Sequence, residues 1–105
     1  MSDPEFPAGV EIEQVFLVEA QYGPQAAERR PAVRAAHIAR AAELKRAGII
    51  VEVGAYSDRL TSSVLLVRAA DAAAALAIAR EDVYVSAGVW AEISARPFGR
   101  IAISD

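Results

Sequence analysis

The chain has 105 residues, room for one domain around one core, and its 54% hydrophobic and 24% charged content excludes a disordered protein. A net charge of −3 and a pI near 5.1 leave no basic footprint for a nucleic-acid partner. No cysteine and a single histidine, His37, exclude a disulfide framework, a thiolate metal site and a cysteine nucleophile, so no metal is expected.

Residues 1–9 hold Asp3, Glu5 and two prolines, without the basic and apolar regions of a signal peptide. They read as a flexible leader to one domain spanning 10–105. No uncharged run approaches the roughly 20 residues of a membrane span, so a cytoplasmic protein with no membrane partner is expected. A first strand is expected over 11–20, rich in Val, Ile and Phe. A helix follows over 31–47, with Pro31 in its first turn, Lys45 and Arg46 in its last, and Gly48 just beyond. Short β-branched segments at 49–54 and 62–69 read as two strands joined by a hairpin connection holding Ser57 and Asp58. An alanine-rich helix over 71–80 opens on Asp71 as its cap, and a last strand covers 89–98.

Strand, helix, strand, strand, helix, strand is the ferredoxin-like split βαβ order: an α+β fold with a four-stranded antiparallel sheet and both helices on one face. The sheet pattern is apolar on both sides. Val15 and Leu17 oppose Phe16 and Val18 in the first strand, and Val64 and Leu66 oppose Leu65 and Val67 in the third. The second face needs a cover, and another copy of the chain supplies one, so a homodimer is expected. The competing reading is a greasy face that serves a ligand or partner.

At 100° per residue, Val33, His37, Arg40 and Leu44 share one face of the first helix, the stripe that meets the sheet. A buried imidazole needs a hydrogen-bond partner, and Asp82, just after the second helix, is the candidate because the two helices lie side by side. An Asp–His pair orients an imidazole and sets its tautomer for proton transfer; the plain alternatives are a structural histidine and a solvated loop aspartate.

Several runs carry a family resemblance: Arg30-Pro31-Ala32-Val33-Arg34-Ala35-Ala36-His37, Lys45-Arg46-Ala47-Gly48-Ile49-Ile50 and Gly54-Ala55-Tyr56. Glu81-Asp82-Val83-Tyr84-Val85-Ser86-Ala87-Gly88 and Arg96-Pro97-Phe98 extend it. Together they resemble the YciI-like (YCII-related domain) family over about residues 12–98. The resemblance implies a dimeric α+β barrel of ferredoxin-like subunits, with His37 and Asp82 as a His–Asp pair in a pocket. One related member is a dehydrochlorinase acting on chlorinated aromatics, and muconolactone isomerases use a comparable barrel. The chain departs from the pattern at Val83, where the family has proline after the aspartate.

The expectation is then a cofactor-free lyase or isomerase acting on a small anionic ring or enol ligand, with His37 as acid or base and Asp82 orienting it. Arg34 or Arg40 would hold a carboxylate or phenolate, a bidentate task suited to guanidinium. Ser57 would stand at the pocket rim, and Trp90 would wall the pocket or fill the dimer interior. Neither a glycine-rich phosphate loop nor a Gly-x-Ser-x-Gly elbow occurs, so no nucleotide cofactor and no hydrolase elbow are expected. Two readings stay open beside it: a non-catalytic dimeric module that binds a small molecule, and a dyad that only braces the fold.

Overall fold

A computed structural model describes residues 5–104, so Met1–Pro4 of the expected leader lie outside the described residues. The elements in chain order are β1 (Val10–Tyr22), α1 (Ala26–Arg46), β2 (Ile50–Ala55), β3 (Ser62–Val67), α2 (Ala72–Arg80), α3 (Val83–Ser86) and β4 (Trp90–Ile103). The strands form one antiparallel sheet in the order β2-β3-β1-β4, the ferredoxin-like arrangement. No helix among the described residues is long and apolar enough to cross a membrane.

Strand alternation decides what the helices cover. Phe16, Val18 and Ala20 of β1 and Leu65 and Val67 of β3 form one buried cluster with Ala75 and Ala79 of α2 and with Tyr84, Val89 and Trp90. The alanines let α2 lie close against the sheet. Leu17, Val64 and Leu66 alternate to the opposite face and are half-buried, with Leu17 paired to Leu66. Beyond the helices β1 and β4 continue as a long two-stranded arm, which gives the molecule an extent of 51 Å against 26 and 22 Å. Ile12, Ile101 and Ile103 are 50%, 67% and 67% exposed there. At the root of the arm Glu13 accepts from Arg68 at 2.7 Å and Arg100 at 2.6 Å.

The helices differ from expectation in two places. α1 starts at Ala26, so Pro31 is an interior residue rather than a first-turn one. Ala26 is buried in the core, and that anchor extends the helix past a proline whose missing N–H leaves only the exposed Ala27 carbonyl without its bond. α3 was not anticipated at all. Four residues carry no periodicity, and its signals are local: an aspartate cap and a closing glycine. Both α1 and α3 end in the same way, with Gly48 and Gly88 at φ +78° and +77°. The N–H of Ile49 reaches the Leu44 carbonyl at 3.0 Å and that of Val89 reaches Tyr84 at 2.8 Å, each bond closing a left-handed glycine turn.

Asp71 caps α2 by accepting from the Ala74 N–H at 2.8 Å. Asp71→Ala is expected to cost about 1 kcal/mol in urea unfolding, and an unchanged midpoint would remove the cap from the account of α2.

Candidate active site

Asp82 occupies the step between α2 and α3. Its Oδ1 accepts from the Tyr84 N–H at 2.9 Å, capping α3, and meets His37 Nδ1 at 2.8 Å. Its Oδ2 accepts from Arg40 Nη1 at 3.2 Å, while Arg40 Nη2 donates to the Ile78 carbonyl at 2.7 Å. Val83, where the family has proline, is the first residue of α3; its N–H is an unpaired helix-start donor in any case, so the cap forms without the proline.

Asp82 is only 4% exposed. Burial alone pushes its carboxyl upward, but the bonds from His37, the Tyr84 N–H and Arg40 outweigh it and hold the group below the usual carboxylate range. An ionised carboxylate only accepts, so His37 donates through Nδ1, and Nε2 is left with no hydrogen bond among the described residues.

The imidazole lies parallel to the Tyr84 ring, with centroids 3.7 Å apart and an interplanar angle of 8°. Trp90 meets both edge-on, at 5.3 Å from His37 and 5.5 Å from Tyr84. Trp90 Nε1 donates to Ser63 Oγ at 3.3 Å, and Ser63 shares a 2.9 Å hydrogen bond with the Tyr22 hydroxyl. This frame backs a cavity of about 360 Å³ between α1 and the β2–β3 edge, lined by His37, Tyr84, Tyr22, Ser63, Arg30 and Arg34 among others. Burial raises the Tyr84 phenol above its ordinary value against the pull of the neighbouring Arg30 guanidinium. Its hydroxyl is buried and makes no hydrogen bond of good geometry.

The structure brings His37 and Asp82 together and puts Arg34 on the cavity wall. Arg40 turns away from the cavity, to Asp82 and to the end of α2, because both its donor pairs find acceptors there. Ser57 lines a neighbouring cavity with Arg34, and Trp90 is 3% exposed behind the His37 ring. Tyr84, Tyr22, Ser63 and Arg30 were not singled out from sequence. Arg30 and Tyr84 stood within the runs that carry the family resemblance, Arg30 at seven residues before His37 and four before Arg34 on one helix face. No group of three His, Asp or Glu side chains suited to a metal ion occurs among the described residues.

A lowered carboxyl contributes stability that is full above its ordinary value of 3.8 and is lost as the pH falls through the folded value. Asp82→Asn is therefore expected to lower stability by about 1–3 kcal/mol at neutral pH, the difference from wild type shrinking below about pH 4. Glu13, also held low by Arg68 and Arg100, titrates in both proteins and cancels. Parallel acid limbs in urea titrations of the two proteins would contradict this role for Asp82.

The model of the YCII-related domain matches residues 15–99. Among solved structures, the chain is similar to 5-chloro-2-hydroxyhydroquinone dehydrochlorinase from Burkholderia phenoliruptrix AC1100, in complex with 2,5-dihydroxybenzoquinone. That likeness has a TM-score of 0.66 at 22% identity over 78% of this chain and 90% of the other. No curated protein matches. The likeness bears out the ferredoxin-like fold, and the matched span, running from mid-β1 into β4 and enclosing both His37 and Asp82, places the chain in the YCII-related domain family.

Proposed function

We propose that the protein is a small cofactor-independent enzyme in which His37 transfers a proton to or from a ring or enol substrate. The carrying observation is the Nδ1–Asp82 bond, which leaves Nε2 of a cavity-lining imidazole as the free basic nitrogen. Nε2 takes a proton from a substrate C–H or O–H; in an elimination, the electron pair released becomes the new double bond as the leaving group departs with its own bonding pair. In an isomerisation the imidazolium returns the proton to another carbon. Asp82 accepts the Nδ1 proton throughout, and the stacked Tyr84 ring keeps the imidazole in place between these steps.

The similar dehydrochlorinase makes 5-chloro-2-hydroxyhydroquinone the first substrate to try, with chloride release as the readout. His37→Asn is expected to cut kcat/KM by at least about 100-fold in a variant that circular dichroism shows to be folded at the assay temperature. Wild-type rates in that variant would end the proton-transfer reading. A loss of several degrees, with no turnover by the wild type, would favour a dyad that braces α1 to α3, the reading suggested by the convergence of both elements on Asp82.

We also infer a homodimer through the open sheet face, supported by half-buried Leu17, Val64 and Leu66 and by the exposed isoleucines of the arm. Light scattering is expected to give about twice the 11.1 kDa chain mass at micromolar concentration; a monomer mass would sink the inference.

A further inference from the structure

A second cavity, of about 510 Å³, lies between the first half of α1 and the loop over residues 56–61. Arg30 and Arg34 line both this cavity and the one that holds His37, and Arg59 reaches the second from the loop. None of these three guanidinium groups meets a carboxylate within ion-pair distance among the described residues, whereas Arg40, Arg68 and Arg100 each do. Asp58 lines the same cavity without pairing to them. Arg30 is further constrained: its guanidinium lies 5.8 Å from the Tyr22 ring centroid and beside the Tyr84 hydroxyl. Three guanidinium groups that line open space without an ion-pair partner suit an anionic ligand there.

We propose that the two cavities are one cleft and that Arg30, Arg34 and Arg59 hold an ionised substituent of a ring ligand whose reacting atom faces His37. The proposal rests on the reading of His37 as the reactive group and adds the ligand class. Along α1, Arg34 stands about 4.5 Å and Arg30 about 10 Å from His37, so a single ring carrying a carboxylate spans from the imidazole to the arginines. Arg59, on the loop, meets the far side of that carboxylate.

The test compares 2,5-dihydroxybenzoate with hydroquinone, which share a ring and differ by the carboxylate. Fluorescence of Trp90, the single tryptophan and an edge-on neighbour of His37 and Tyr84, reports binding. The carboxylate is expected to tighten binding about tenfold or more. Arg59→Gln, an exposed substitution, and Arg34→Gln are each expected to erase most of that preference while hydroquinone binding holds, and raised salt is expected to weaken only the anion. Equal affinities, a preference that survives in both variants, or no saturation by either compound at millimolar concentration would overturn the proposal. His37→Asn keeps the preference if the arginine site is correct. A preference without turnover therefore defeats only the enzyme reading, and turnover without a preference defeats only this one.

Discussion

One buried carboxylate joins three elements of this molecule. Asp82 accepts from a side chain at the middle of α1, from a second one a turn later, and from the backbone that opens α3. A four-residue helix has no stability of its own. α3 persists because its start is capped by Asp82, its end is closed by Gly88, and its Tyr84 is buried in the core. The carboxylate that caps α3 is thus the one that orients His37, and the dyad's geometry and the local fold cannot be separated at this residue.

The same arrangement organises the electrostatics. An acceptor-only carboxylate assigns the Nδ1 proton, and the Tyr84 face and the Trp90 edge leave the imidazole one open direction. Ser63 and Tyr22 fix Trp90 from behind through its indole N–H. Arg40 neutralises Asp82 from the side away from the cavity, so the dyad is not left as an uncompensated buried charge. The arginines with no such partner, Arg30 and Arg34, line the cavity instead.

Much of the fold was legible because the chain uses strong local signals. Alanine runs, the Asp71 cap, Gly48 and short β-branched segments mark two helices and four strands, and their order leaves few alternatives. Pro31 misled the start of α1 because a proline's local preference was weighed without the buried Ala26 upstream of it. In the site, His37 and Asp82 were readable as a pair, since helix periodicity gives the face and topology gives the approach. Arg40 shared the His37 face, yet its fate depended on where the Ile78 carbonyl and Asp82 Oδ2 fell, which sequence spacing does not encode. Tyr84 and Trp90 carry the hydrophobic signal of any core aromatic, and only their mutual geometry with His37 distinguishes them.

That geometry also sets how the site moves. The Tyr84 ring is held face-on by an imidazole and edge-on by an indole. A half-turn of the phenol about its long axis must sweep through the space His37 occupies, and His37 in turn is tethered to Asp82. A flip of the Tyr84 ring therefore waits on a displacement of the tethered imidazole.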